Sequence, residues 1–217
     1  MKLRALWGVD SAVKVDEKLY NCVTSKYGKP KFWGRYLTRK EGVNDGLSKE
    51  ELLFLHIRGI RIIPIYNDFS SAVGYRSGQV AARNAIFHAS RLKFPKDTVV
   101  FANIENFFEV NDSWISAWVD VFFESGYLPG FYHDPLKGDF NKAYCAAVKN
   151  NARVKKYSIL WSAEPREEAS NEIDAPLFQP KKPSCVANVL GWQYGREAQG
   201  CPIETNLILF KLYQLLW

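Results

Sequence analysis

Apolar residues recur along this chain in short runs that glycine, proline or polar residues interrupt, and between the runs the apolar positions take helical spacing. Such runs predict strands that are buried on both faces, as in a parallel sheet. The pattern predicts seven clear strands and a weaker one at 176–180. In chain order the eight are residues 5–11, 31–37, 60–68, 98–105, 128–134, 158–164, 176–180 and 189–195.

Five amphipathic helices are predicted between the first six strands, at residues 15–27, 48–59, 79–92, 113–125 and 140–150. The second carries the clearest local signal, because Ser48 and Glu51 have the spacing of a capping box. Leu47 and Leu52 stand in the positions of a hydrophobic staple. Gly59 follows as the residue that ends the helix.

The intervals between successive strand ends predict how the strands are connected. The first six ends are roughly 30 residues apart, which leaves room for a strand, a crossover helix and two loops. The last two intervals are roughly 15 residues, too short for such a helix. We therefore predict an irregular TIM-type α/β barrel, with five βα units followed by three strands without crossover helices. An open doubly wound sheet is the structural alternative.

Composition narrows the class of protein. Hydrophobic residues make up 47% of the 217 residues and aromatic residues 15%, which excludes a disordered or collagen-like chain. No linker-like stretch and no repeat is present, so we expect residues 1–217 to form one domain, as a monomer. No apolar stretch reaches the roughly 18 residues of a membrane span. The opening resembles a signal peptide until Gly8 and Asp10 interrupt it, so we expect no export signal and leave the compartment open.

Charge and cysteines add two expectations. The net charge is +6, and the basic residues are scattered over the predicted helices, which favours a solvated surface over nucleic-acid binding. The four cysteines show no CxxC spacing, so we expect no metal and no cofactor. Reduced, buried thiols are the favoured interpretation, and a Cys185–Cys201 disulfide is the alternative in an oxidising compartment.

Acidic residues end several of the predicted strands, and in barrels of this type the functional site lies at the carboxyl ends of the strands. Carboxylates that converge raise one another's pKa, as an acid catalyst requires. Local roles are also open, since Asp10 has the position of a helix cap and Asp134 that of a turn residue. The acids are Asp10, Asp68, Glu105, Asp134 and Glu164, with Glu204 after the last strand.

Aromatic residues are predicted at the same rim. Carboxylates among aromatic rings suit a carbohydrate, whose C–H faces stack on rings while acids bind hydroxyl groups. Alternation places Asn103 and Glu105 together on one face of the fourth strand, and Tyr66 and Asp68 together on one face of the third. No GxSxG, P-loop or GxGxxG motif is present. The aromatic residues are Tyr36, Tyr66, Phe107, Phe108, Tyr132, Trp161, Trp192 and Tyr194.

An ordered set of motifs resembles a known family. The set is Gly8-Val9-Asp10-Ser11, Arg35-Tyr36-Leu37, Leu47-Ser48-Lys49-Glu50-Glu51, Ile63-Pro64-Ile65-Tyr66, Ile104-Glu105, Gly130-Phe131-Tyr132 and Trp192-Gln193-Tyr194. From Trp7 to about Asn206 the chain resembles the bacterial Rv2525c-like glycoside hydrolase-like domain, which is similar in turn to the Chalaropsis-type muramidases. The resemblance implies a barrel of eight strands and five helices that hydrolyses a β-linked amino-sugar glycan, such as peptidoglycan.

The resemblance also implies roles for individual residues. Glu105 matches the muramidase proton donor and Asp10 the first-strand aspartate, while Asn103 stands where muramidases usually have aspartate. A neutral amide is no base, so the second carboxylate is expected from Asp10 or Asp68. Glu204 similarly replaces an aspartate. These two departures leave open a non-catalytic carbohydrate-binding module. The residues expected to bind the glycan are Asn103, Tyr66, Tyr132, Asp134, Trp161, Trp192 and Gln193.

Overall fold

Eight strands close into a barrel and follow the order of the chain around its circumference. The computed structural model describes residues 5–217, apart from the side chain of residue 166. The strands are β1 Ala5–Asp10, β2 Phe32–Tyr36, β3 Arg61–Tyr66, β4 Val99–Ile104, β5 Leu128–His133, β6 Ile159–Glu168, β7 Val189–Arg196 and β8 Glu204–Leu209. The helices are α1 Glu17–Lys26, α2 Lys49–His56, α3 Tyr75–Arg91, α4 Asp112–Ser125, α5 Phe140–Asn150, α6 Ala152–Tyr157 and α7 Phe210–Tyr213.

The direction of the strands decides which residues meet at the rim. Strands β1 to β7 run parallel, and β8 runs antiparallel to both β7 and β1. Because β8 is reversed, its first residue lies at the rim where the parallel strands end. Glu204 is accordingly the register partner of Asp10.

The predicted barrel class is confirmed, since five helical crossovers precede two connections that carry no helix. The last of these crossovers holds α6 in addition to the predicted helix. The weak strand predicted at residues 176–180 is wrong, and the strand that takes its place in the barrel was not predicted. Residues 176–180 form no strand, because the prolines at both ends lack the backbone N–H that a ladder needs. The true eighth strand, Glu204–Leu209, runs directly into α7 without a turn signal between them.

Two apolar layers follow from the alternation of side chains along the strands. The inner layer fills the barrel and includes Phe32, Ile65, Phe101 and Trp161. The outer layer lies between the strands and the helices. Gly34 allows β2 to pack closely against Asp10, because a Cβ atom at residue 34 would lie 2.7 Å from the Cβ of Asp10. Among the described helices, none has the length and apolar character needed to cross a bilayer.

The cysteines correct both expectations from the sequence. All four are oxidised, in the pairs Cys22–Cys201 and Cys145–Cys185, with Cα–Cα distances of 6.0 and 5.5 Å. Neither reduced thiols nor a Cys185–Cys201 bond is present. The fold brings α1 against the β7–β8 loop, and spacing along the chain gives no indication of that proximity. The first bond joins residues 179 positions apart.

Reduction is therefore expected to destabilise the protein. A native disulfide typically contributes about 2–5 kcal/mol to the free energy of unfolding. Urea unfolding with and without a reducing agent measures this contribution. The double variant Cys145→Ser/Cys185→Ser, which retains only the bond to α1, should unfold between the oxidised and the fully reduced protein. Equal midpoints for all three forms would contradict the two bonds.

Candidate active site

Three acidic side chains meet at the rim where the parallel strands end: Asp10, Glu105 and Glu204, called the rim carboxylates below. Asp10 is the last residue of β1, Glu105 follows β4 directly, and Glu204 begins β8. All three lie close enough to Tyr36 for their negative charges to raise the pKa of its hydroxyl, although burial is the larger cause. The structure therefore gathers acids from three separate parts of the chain.

Asp10 is buried, and two side-chain amides hold its carboxylate. Oδ1 accepts a hydrogen bond from Asn206 Nδ2 at 2.6 Å and another from Gln193 Nε2 at 3.2 Å. Burial raises the pKa of Asp10 to about 6, and the hydrogen bonds from Asn206 and Gln193 oppose that rise. Asp10 is consequently an anion at neutral pH that loses its charge in mild acid.

Glu204 shares an amide donor with Asp10, since Gln193 Nε2 also donates to Glu204 Oε2. Burial, followed by the negative charge of Asp10, raises the pKa of Glu204 to about 8. The guanidinium of Arg196, whose Nε lies 3.9 Å from Oε1, opposes the rise. Burial and mutual repulsion therefore favour a pair that holds one proton and one negative charge between its two carboxyl groups near neutral pH.

Both amides are held in one orientation by a second hydrogen bond. The hydroxyl of Tyr132 donates to Gln193 Oε1 at 2.8 Å, which turns Gln193 Nε2 toward the two carboxyl groups. Trp161 Nε1 donates to Asn206 Oδ1 at 3.0 Å, which turns Asn206 Nδ2 toward Asp10. The donors that stabilise the Asp10 anion are thus fixed by the fold before any ligand binds.

Glu105 is less buried than Asp10 and has a different partner. Its Oε1 accepts a hydrogen bond from Asn103 Nδ2 at 2.8 Å, as expected for residues on one face of β4. Asn103 is 4% exposed, and its Oδ1 has no hydrogen-bond partner among the described residues. Asn103 therefore restrains one oxygen of Glu105 and leaves the other carboxyl oxygen available.

A groove of about 540 Å³ opens beside Asp10 and Glu204. One wall is the β7–β8 loop, which the Cys22–Cys201 bond ties to α1. The volume suits a ligand of one or more sugar rings. The groove is lined by Asp10, Ser11, Ala12, Tyr36, Glu197, Ala198, Gln199, Gly200, Cys201, Pro202, Ile203 and Glu204.

Three of the predicted site residues lie away from the rim carboxylates. Tyr66 faces outward, fully buried, and stacks on Phe69 with ring centroids 6.1 Å apart. Trp192 also belongs to the outer layer and donates from Nε1 to Glu164 O at 3.0 Å. Asp68 lies exposed after β3, and its charge acts on Tyr66, whose pKa rises to about 12 mainly through burial.

Other predicted residues lie at the rim, or just below it, in supporting roles. Trp161 is fully buried below the carboxylates, where it holds Asn206 and packs edge-on against Tyr132. Asp134 caps a turn, because its Oδ1 accepts from the backbone N–H groups of Leu136 and Lys137. Tyr132 and Gln193 are part of the hydrogen-bonded network, where sequence reasoning placed them only as ligand-binding residues.

Two members of the site were not assigned a role from the sequence. Asn206 shares a strand face with Glu204, so alternation was the signal that could have identified it. Arg196 is the last residue of β7, and no pattern in the sequence pointed to it as a site residue.

The described residues offer no metal site. His133 faces outward, and burial lowers its pKa to about 3. Within residues 5–217, no three His, Cys, Asp or Glu side chains are grouped as a metal site requires.

The chain is similar to one protein family and to several solved structures. The model of the Rv2525c-like, glycoside hydrolase-like domain family matches residues 27–178. No curated protein matches the chain. A 1.07 Å crystal structure of an uncharacterised B. stearothermophilus protein is 50% identical, with a TM-score of 0.96, and the match covers 98% of this chain and 100% of that one.

Two more distant structures share the barrel. The muramidase from Acremonium alcalophilum is 14% identical with a TM-score of 0.60, and the match covers 97% of this chain and 96% of that one. A family GH25 lysozyme from Aspergillus fumigatus is 12% identical with a TM-score of 0.57, covering 98% and 97%. At these identities the likeness shows a common fold.

Proposed function

This chain belongs to the Rv2525c-like, glycoside hydrolase-like domain family, and we propose that it hydrolyses a β-linked amino-sugar glycan such as peptidoglycan. The family resemblance read from the sequence motifs is confirmed. One observation carries the proposal. Glu105 faces the same rim as a buried pair, Asp10 and Glu204, in which burial and mutual repulsion favour one anionic and one protonated carboxyl group, while the amide of Gln193 donates to both. Glycosidases require two carboxyl groups in different protonation states.

In the proposed reaction Glu105 donates a proton to the glycosidic oxygen, which leaves with the sugar on one side. Asp10 supplies the negative charge opposite the anomeric carbon as the bond to the glycosidic oxygen breaks and positive charge develops there. A water molecule then forms the new bond to the anomeric carbon and gives its proton to Glu105, which restores the acid. Asp10 takes the part of the anion in this reaction because two amides donate to it, whereas burial and the charge of Asp10 favour the protonated form of Glu204. Asp68 is not assigned a role, because it lies exposed beside Tyr66. Tyr36 and the β7–β8 loop form the side of the groove in which the glycan lies.

The test is release of new reducing ends from purified cell walls, between pH 4 and pH 8. We expect the rate to rise as Asp10 ionises, roughly tenfold per pH unit below about pH 6. Asn206→Ala removes a hydrogen bond that lowers the pKa of Asp10, so this rise should move to higher pH. An unshifted profile would contradict the role of Asp10, and no release at any pH would contradict hydrolysis.

A second candidate function follows from one departure. Asn103 is a neutral amide that donates to Glu105, at a position where the resemblance to muramidases implies an aspartate. A barrel that binds glycan without cleaving it fits that feature. This alternative predicts saturable binding of glycan fragments without turnover. It also predicts that Glu105→Gln leaves the affinity almost unchanged.

A further inference from the structure

We infer that Phe107 and Leu136, called the loop platform below, bind a second stretch of the glycan across the rim from the groove. The inference rests on the proposed function and extends it to the length of substrate that the protein holds. Phe107 is 77% exposed and Leu136 is 64% exposed, although both are large apolar side chains.

The order of the strands places the loop platform opposite the groove. The groove is built by residues that follow β1 and β2 and precede β8. Phe107 follows β4 and Leu136 follows β5. In a closed barrel of eight strands in chain order, β4 lies opposite β8 and β5 lies opposite β1. A linear ligand that leaves the groove and passes the rim carboxylates therefore reaches the loop platform.

The two loops that carry the platform are packed together. Asn106 Nδ2 donates to Asp134 Oδ2 at 3.4 Å, which links the loop after β4 to the loop after β5. Gly138 packs so closely on Asn106 that a Cβ atom would lie 2.2 Å from its carbonyl oxygen. The platform is thus formed before a ligand arrives, which lowers the entropy cost of binding.

The setting of Phe107 leaves its ring available for stacking. Its ring meets that of Phe108 edge to face, with centroids 5.1 Å apart, and Phe108 packs in turn on Phe69 at 5.7 Å. The remaining surface of the Phe107 ring faces solvent, two residues beyond Glu105. A rigid aromatic ring next to a carboxyl group suits a ligand that has both C–H faces and hydroxyl groups.

The size and polarity of the surface favour a sugar ring as its occupant. Asn106 directly precedes Phe107 in the chain, and Asp134 lies two residues before Leu136, so each loop also offers a polar partner for hydroxyl groups. Two apolar side chains provide far less area than the roughly 800 Å² per partner of a stable protein interface. A pyranose ring of the same glycan fits a surface of this size.

The test measures binding as a function of glycan length, with the Glu105→Gln protein to prevent turnover. The probes are peptide-free glycan strands of two and of at least six sugars, titrated calorimetrically. Phe107→Ala should weaken binding of the long strands about fivefold and leave the disaccharide unchanged. Phe107→Trp should restore the affinity for long strands. Phe87→Ala is the matched control, because Phe87 is an aromatic residue on α3 that is 63% exposed.

Each outcome separates the platform from the proposed reaction. Equal affinity of Phe107→Ala and its parent for long strands would overturn the platform, whatever the rate of hydrolysis. A loss of affinity that is the same for short and long strands would also overturn it, because the effect would then lie in the groove. Reducing-end release by the wild-type protein tests hydrolysis separately. Length-dependent binding without release would keep the platform and reject the proposed reaction.

Discussion

Glu105→Gln is expected to lower glycan release by roughly a thousandfold, the scale of general acid catalysis. Glutamine has the shape of glutamate but carries no proton that it can give to a leaving oxygen. Its Oε1 can still accept the hydrogen bond from Asn103 Nδ2, so the local geometry is preserved. The measurement is the initial rate of reducing-end formation from purified cell walls, together with thermal unfolding to show that the fold is intact.

Asp68→Asn is the control for this experiment. The sequence nominated Asp68 beside Glu105, yet the structure leaves it exposed after β3, next to Tyr66 in the outer layer. We expect the rate of Asp68→Asn to stay within about twofold of the wild type, as for a surface change away from the site. Equal rates for wild type and Glu105→Gln would remove Glu105 from the reaction. A large loss in Asp68→Asn would show that the wrong acids have been assigned.

Glu51→Gln is expected to reduce the free energy of unfolding by about 3–5 kcal/mol, because it leaves a buried guanidinium without its counter-charge. Arg35 Nε and Glu51 Oε1 are 2.6 Å apart, and both side chains are 0% exposed. Arg35 also donates from Nη1 to Ser11 O at 2.6 Å, directly after Asp10. The pair therefore joins β2 and α2 to the loop that follows β1. Urea unfolding measures the loss.

Glu17→Gln is the matched control, since it makes the same chemical change in an ion pair at the surface. Glu17 is 71% exposed and lies 3.5 Å from Arg58. Exposed pairs contribute little, so its unfolding midpoint should match that of the wild type. Similar losses of unfolding free energy in the two variants would show that the buried Arg35–Glu51 pair contributes no more to stability than the exposed pair. The double variant Arg35→Met/Glu51→Met should recover part of the stability, because neither charge is then left unpaired.

Local and medium-range signals predicted most of the fold. Ser48 caps α2 as its motif indicates, with Ser48 Oγ accepting from Glu51 N at 3.2 Å. The side chain of Glu51, however, bonds to Arg35 and to Val15 N, so a residue read as part of a local motif makes a long-range contact instead. The disulfide partners and the direction of β8 likewise depend on proximity in space, which spacing along the chain does not encode.

The site was predicted in part for a related reason. The acids at the predicted strand ends include Asp10 and Glu105, and the topology brings both to the same rim of the barrel. Alternation predicts that Tyr66 and Asp68 share a face, but it does not say which face of a strand is the inside of the barrel. Strands of a βα barrel are apolar on both faces, so the polarity of neighbouring residues does not resolve the choice. Trp192 was misplaced for the same reason, whereas its neighbour Gln193 faces the carboxylates.

The pairing of β1 with β8 has a consequence for folding. Ala5 pairs with Leu209 and Asp10 with Glu204, so these contacts join nearly the two ends of the described chain. Contacts of such long sequence separation form slowly, because much chain entropy is lost before they contribute. The amide donors to Asp10 come from 183 and 196 residues away. During refolding of the reduced chain, in which no Cys22–Cys201 bond holds the two ends together, the perturbed titration of Asp10 should therefore be acquired last, when the barrel closes.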